Sequence, residues 1–307
     1  MRLSVMYPVQ ATGGAAVAPF AELVHRGSAA RLWMGTSLHC DTQQVAAYLA
    51  GAGLRIPVGT AVQLTPMRHT FQAAVEARSL AVLTGHPVVA GFGAGAPALS
   101  AGLLGAPYKR PASAVAAYLS AVRGHLERPE EGLPPIDHPQ VELGAGVLRP
   151  GMARAAGRTA DAAITLLTPP HYLKDTVVPA LAEGAAGADR EPPRVVAVVH
   201  AAVERPGREP ARLAYAACGA HLTLPHYTDM LRRAGVAAVP QDPVAGAMRV
   251  SEAGLFLYGG PERIAAELEA YAGAGVDEVI VSTAGVMGTE GPEAAVADAA
   301  AVLAAAA

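Results

Sequence analysis

Two short apolar runs, residues 56–62 and 88–93, flank a segment, residues 70–83, whose apolar positions recur at helical spacing. The first run leads into Leu64-Thr-Pro-Met-Arg-His69, the second into Gly91-Phe-Gly-Ala-Gly95. Strand, loop, helix, strand and glycine loop in that order make a parallel βαβ unit. Such units place ligands at the carboxyl ends of their strands, so the chemistry is expected at these two loops.

The same alternation runs the length of the chain, which predicts a parallel sheet wrapped by helices. Eight strands are expected, at 3–7, 31–34, 56–62, 88–93, 141–143, 162–166, 195–199 and 278–282, the number that closes a (β/α)8, or TIM, barrel. Helices are expected at 70–83, 113–126, 151–158, 172–186 and 261–272, the last with Pro261 in its first turn and Gly273 at its stop. The proline-rich stretch 128–139 reads as a loop over one barrel mouth, residues 219–254 as a lid or helical insertion, and the alanine-rich stretch 293–307 as a closing helix. No composition shift marks a boundary, so residues 1–307 are expected to form one domain.

The 307 residues can bury an ample core. A net charge of −3 without long runs of one sign points away from nucleic acid and membrane surfaces, toward small-molecule work. Cys40 and Cys218 lie far apart and do not form a disulfide framework, and the N-terminal apolar run is too short for a signal peptide, so a cytoplasmic location is expected.

Among candidate chemical groups, the Gly91–Gly95 loop offers bare backbone amides suited to close approach of a phosphate or flat ring, or it simply turns a strand end. Its spacing is not the dinucleotide fingerprint. His39, after the second strand, either donates a proton to a substrate or is a solvated loop histidine, while Asp41 is expected to cap the next helix. Arg68 and His69 read as structural, and Tyr108, with a donatable hydroxyl, introduces the helix after the fourth strand. His221 and His226 lack zinc-site spacing, so no metal is expected. No Gly-x-Ser-x-Gly elbow or Walker loop is present in the sequence.

Taken together, Arg31-Leu-Trp-Met-Gly-Thr-Ser37, Gly59-Thr-Ala-Val62, Arg68-His69, Gly91-Phe-Gly-Ala-Gly95, Gly105-Ala-Pro-Tyr-Lys-Arg-Pro111, Met152-Ala-Arg-Ala-Ala-Gly-Arg-Thr-Ala-Asp161, Leu224-Pro-His-Tyr227 and Tyr258-Gly-Gly-Pro-Glu-Arg263 stand in an order that resembles the luciferase-like monooxygenase superfamily. Within it the chain is similar to the branch of oxidoreductases that use the deazaflavin coenzyme F420, in particular small actinobacterial members with Trp-x-Gly-x-Ser in the second strand. The resemblance implies a TIM barrel with luciferase-like insertions, commonly a homodimer. It also implies a tricyclic ring in the carboxyl-side mouth, against a bulge after the third strand that holds a non-prolyl cis peptide, here Ala61-Val62.

By the same matching, Ser37 sits near the ring and Gly93, Ala94 and Gly95 near the ring and its ribityl chain. Leu148 and Arg149 belong near the phosphate, with Thr168 also approaching it. Arg149 replaces a common glycine and either adds a charge for the phosphate or blocks its usual path. Dehydrogenases of the superfamily often carry a histidine at the position of Ser37 and an acid at that of Ala96, and this chain has neither. The implied activity is therefore an F420-dependent reductase delivering hydride to an activated C=C or C=N bond of a small or peptide-borne natural-product intermediate, such as a dehydroamino acid. His39, then Tyr108, are the candidate proton donors. The alternatives are an FMN-dependent monooxygenase or reductase on the same barrel, and a non-catalytic barrel acting as a scaffold.

Overall fold

A computed structural model describes residues 1–128, 130 and 132–306. Ten strands are present among them: β1 (Arg2–Tyr7), β2 (Leu32–Met34), β3 (Val58–Thr60), β4 (Gln63–Leu64), β5 (Val88–Gly93), β6 (Val141–Gly146), β7 (Ala162–Leu166), β8 (Arg194–Val203), β9 (Phe256–Gly259) and β10 (Glu278–Ser282). All pairings are parallel, in the order β10-β1-β2-β3-β5-β6-β7-β8, and β8 pairs back onto β10, so eight staves close a TIM barrel as expected. The fourteen helices are α1 (Gly14–His25), α2 (Thr42–Gly51), α3 (Thr70–Thr84), α4 (Pro97–Leu104), α5 (Pro111–Glu127), α6 (Pro150–Thr159), α7 (Pro170–Tyr172), α8 (Val178–Ala186), α9 (Pro210–Leu222), α10 (Pro225–Arg233), α11 (Pro243–Glu252), α12 (Pro261–Gly273), α13 (Ala284–Glu290) and α14 (Pro292–Ala305). None is long and apolar enough to cross a membrane.

Strands 88–93, 162–166 and 278–282 fall where the sequence places them, and two expectations need revision. The run 56–62 is not one strand: β3 stops at Thr60, the Ala61–Val62 peptide is cis, and β4 resumes pairing with β5 at Gln63. The strand expected at 195–199 continues to Val203, because β9, absent from the eight expected strands, pairs with its far end. Residues 219–254 form a helical insertion, one of the two expected readings, made of the end of α9 together with α10 and α11. Of the loop 128–139, residues 129 and 131 lie outside the described residues; the loop joins α5 to β6 and so sits at the amino-terminal side of the barrel. The closing helix is α14, and residue 307 also lies outside the described residues.

Two buried clusters follow from strand alternation. The larger fills the space between sheet and helices, around side chains such as Phe20, Leu32, Phe92, Leu143 and Leu181. The smaller lies inside the barrel, where Trp33, Val89, Ala162, Ile164, Val196, Val198 and Ile280 meet. Stepping by two along β8 puts Arg194, Val196, Val198 and His200 on that inner face, and along β10 Glu278, Ile280 and Ser282. The amino-terminal end is plugged by charge: Glu278 accepts from Ser4 Oγ at 2.6 Å, Trp33 Nε1 at 2.7 Å and Arg194 Nη1 at 2.8 Å, while Arg194 Nε reaches Glu142 at 2.7 Å. The opposite end is built differently.

Candidate active site

The break between β3 and β4 leaves the sheet without its ladder for two residues, and a side chain replaces it. Thr60 Oγ1 accepts the Gly91 N–H at 2.9 Å and lies 3.1 Å from the Gly91 carbonyl, to which it donates. Thr36 Oγ1 donates to the Val62 carbonyl at 2.8 Å, and the Ala61 N–H to the Met34 carbonyl at 2.9 Å, which fixes the bulge from the β2 side. The cis bond thus stands where the resemblance places it. Gly91 is required for a concrete reason: a Cβ there would strike the Thr60 carbonyl and the Ile164 side chain.

Toward the mouth the inner positions of β5 and β6 continue as Gly93 and Gly146. A Cβ on Gly93 would fall 2.8 Å from Val62 Cγ2, and one on Gly146 3.4 Å from Val62 Cγ1. Val62 therefore projects over a floor made of bare backbone, bordered by Met6, Ala61 and Leu166, the apolar residues packed on the inner cluster. A flat apolar shelf over side-chain-free backbone suits a planar heterocycle.

The other candidate residues are placed unevenly around this shelf. Ser37 is buried, but its hydroxyl is committed to the loop: it donates to the Ala11 carbonyl at 2.9 Å and accepts from the His39 and Cys40 N–H groups at 3.2 and 3.3 Å. His39 is exposed at the rim. Tyr108 lies 3.1 Å, hydroxyl to hydroxyl, from Thr65, three residues beyond the bulge. Ala94 and Gly95 continue the loop after β5, and Gly95 has a positive φ of 71°. Asp41 caps α2 by accepting from Gln43 and Gln44, and Arg68 ties Asp41 to Glu76. His69 caps α3 by accepting from the Phe71 N–H.

On the far side of the mouth Leu148 packs against the core and Arg149 is the N-cap of α6. The Arg149 guanidinium turns to Asp229 of α10 at 3.1 Å, so it braces the helical insertion against the rim. Leu167 adopts a left-handed conformation, φ 56°, immediately before Thr168, whose buried hydroxyl donates back to the Leu166 carbonyl at 3.2 Å. Non-glycine residues seldom take that conformation outside well-determined sites.

Two inward groups at the mouth were not singled out from sequence: His200 and Ser282. They are register partners on β8 and β10, with His200 Nδ1 3.1 Å from Ser282 Oγ, and both are buried. Burial and the neighbouring His221 push the His200 imidazole down to about 3, while burial and His226 push His221 down to about 4. Both are neutral at physiological pH. The signal lay in the alternation of Val196, Val198 and His200, had the strand been extended past residue 199. Among the described residues no group of His, Cys, Asp or Glu is arranged to hold a metal ion. A surface hollow of about 520 Å³ among Arg123, Glu127, Arg158 and Arg190 lies on the outer helical wall, away from the mouth.

Several solved structures share this architecture. A coenzyme F420-dependent tetrahydromethanopterin reductase from Methanopyrus kandleri superposes with a TM-score of 0.74 at 16% identity, covering 99% of this chain and 98% of its own. An F420-dependent secondary alcohol dehydrogenase in complex with an F420-acetone adduct gives 0.69 at 15% identity, covering 98% of each chain. An FMN complex of the oxygenating constituent of 3,6-diketocamphane monooxygenase from Pseudomonas putida, a type II Baeyer-Villiger monooxygenase, gives 0.66 at 15% identity, covering 98% and 96%. No curated protein matches the sequence closely. The family model described as luciferase-like monooxygenase matches residues 1–278, and with the barrel and bulge described above the chain belongs to that family.

Proposed function

We propose that the protein is a coenzyme F420-dependent reductase that delivers hydride to an activated C=C or C=N bond of a small or peptide-borne substrate. The observation that carries this reading is the shelf at the mouth, where Val62 stands over side-chain-free Gly93 and Gly146. Residues present there fit a flat ring: the bulge at Ala61 and Val62 would back it, Gly93, Ala94 and Gly95 would run beside its chain, and Leu148, Arg149 and Thr168 would lie toward the phosphate. Reduced F420 supplies a hydride from carbon, a two-electron donor with little oxygen chemistry.

The chain's own task is then positioning and drying. Met6, Val62 and Leu166 exclude water from the shelf, and the substrate's acceptor carbon is held at near-attack distance above it. No acid or base stands where the alcohol dehydrogenases of the superfamily carry theirs: Ser37 spends its hydroxyl on the Ala11 carbonyl, and Ala96 is the plain N-cap of α4. Reduction of an activated double bond needs only one proton after the hydride, and His39, at the exposed rim, can supply it from solvent. A homodimer is part of the same proposal.

Titration of the purified protein with F420 and with FMN tests it, following the change in each chromophore's fluorescence. Saturable F420 binding, and oxidation of reduced F420 on adding an enone or imine, are expected. Tight FMN binding with oxygen-dependent turnover would overturn the proposal, and so would failure to bind either.

A further inference from the structure

We propose that His200 Nε2 and Ser282 Oγ form an uncharged polar subsite on the barrel floor that takes a neutral hydrogen-bonding group of the substrate, such as a ketone, amide or imine, and rejects carboxylates and phosphates. The proposal rests on the reductase reading of the same mouth and narrows it to a substrate class. Three observations carry it.

The first is placement. Alternation along β8 and β10 brings both side chains onto the inner face at the carboxyl end, where the apolar Met6, Val62 and Leu166 pack on the inner cluster. The second is an unmet valence. His200 is 4% exposed, Nδ1 faces Ser282 Oγ at 3.1 Å, and Nε2 has no partner. The neighbouring His221 likewise has an unpartnered buried Nδ1. Leaving a buried nitrogen unpaired is costly, and its place on the inner face at the carboxyl end puts this one where a ligand atom would pair it.

The third is charge. Burial, then the neighbouring His221, holds His200 neutral across the physiological range, and no Lys or Arg among the described residues acts on it. The inner charges, Glu142, Arg194 and Glu278, plug the opposite end, and Arg194 is six residues from His200 along one strand, about 20 Å at ordinary strand rise. An anion on this floor would lose its hydration and meet no counter-charge, whereas a neutral polar group exchanges one water hydrogen bond for one with the imidazole.

Nuclear magnetic resonance of the full chain labelled with 15N-histidine tests this without any coenzyme, the His200 signals being assigned by their loss in His200→Gln. The expected result is an imidazole that stays neutral from pH 8 to pH 5 and whose Nε2 signal shifts on adding 2-cyclohexen-1-one but not cyclohex-1-enecarboxylate. Protonation near pH 6, equal response to both probes, or no response to the enone would overturn the subsite. With F420 bound, His200→Ala is expected to raise KM for the enone about tenfold, the loss of one hydrogen bond, with coenzyme affinity unchanged and partial recovery in His200→Gln. Unchanged KM in the alanine variant would also overturn it. Absence of F420 binding in the wild type would instead sink the reductase reading and leave the resonance experiment decisive for the subsite.

Discussion

Replacing Glu278 by Ala asks how much the charged plug contributes to the barrel. The carboxylate is 1% exposed and takes three donors, Ser4 Oγ, Trp33 Nε1 and Arg194 Nη1, with Arg31 Nε a further 3.9 Å away. Burial alone would raise its pKa, but the Ser4 hydrogen bond and the Arg194 and Arg31 charges outweigh that and hold it below the ordinary carboxylate range. Truncation strands buried donors and leaves Arg194 with Glu142 alone, the circumstance in which breaking a buried pair costs about 3–5 kcal/mol. That is a large part of a typical domain stability of about 5–15 kcal/mol. Glu278→Gln keeps an acceptor for Ser4 and Trp33 while losing the charge, and should cost about 1.5–3 kcal/mol. Urea unfolding followed by tryptophan fluorescence reads this directly, because Trp33 is the only tryptophan and its indole bonds to the mutated residue. Since the folded pKa is depressed, the wild-type advantage is fully present above the unfolded carboxylate pKa, about 4.3, and shrinks as pH falls through the lower folded value. An alanine variant less than about 1 kcal/mol weaker than wild type at pH 7, or a gap that widens toward acid, would refute the electrostatic account of the plug.

Gly93→Ala should force Val62 aside, since the new Cβ lands 2.8 Å from Val62 Cγ2; about 1–3 kcal/mol of overpacking and at least tenfold weaker F420 binding are expected, with Gly273→Ala, whose Cβ meets nothing within 4 Å, as the neutral control in the same titration. Gln63 is buried with neither amide atom partnered, so Gln63→Leu should raise stability by about 1–3 kcal/mol in thermal unfolding; a lower melting temperature would mean that the amide has a partner. Burial pushes the Cys218 thiol up to about 12 while Cys40 is half-exposed, so Ellman's reagent should titrate one thiol in the native protein and two in urea.

What was legible in the sequence followed from local pattern. β10 could be read to the residue because Gly275 turns the chain with positive φ, Asp277 takes the Val195 N–H, and a β-branched run follows. The barrel itself followed from repetition of that grammar. The bulge could not be read this way, because what sustains it is a pairing between positions thirty-one apart: Thr60 Oγ1 stands in for a backbone group only because Gly91 lets it approach. Resemblance, not periodicity, located it. His39 drew attention as a loop residue after a strand and Ser37 through the resemblance, yet one is exposed and the other spends its hydroxyl on the Ala11 carbonyl of the loop after β1.

His200 shows why the remainder was hidden. Strand length sets which residues reach the mouth, and β8 runs long because β9, Phe256 through Gly259, pairs with its last four residues, the first of which, His200, is also paired with Ser282 of β10. Ended at residue 199, the strand has an apolar inner face and nothing more; extended by one residue, it carries an imidazole onto the floor. The contact that extends it is more than fifty residues away in sequence, so no window of local pattern contains both halves of the reason. The polar character of this mouth is thus a tertiary property, set by where a neighbouring strand stops. Shortening β9, for instance by Leu257→Pro, whose missing N–H removes a bond from the ladder with β8, should loosen the imidazole's setting. In the pH titration of labelled histidine the His200 signal would then move from its low value toward the ordinary histidine range near 6.5, while the plug at Glu278 and the lone tryptophan reporting on it stay unchanged.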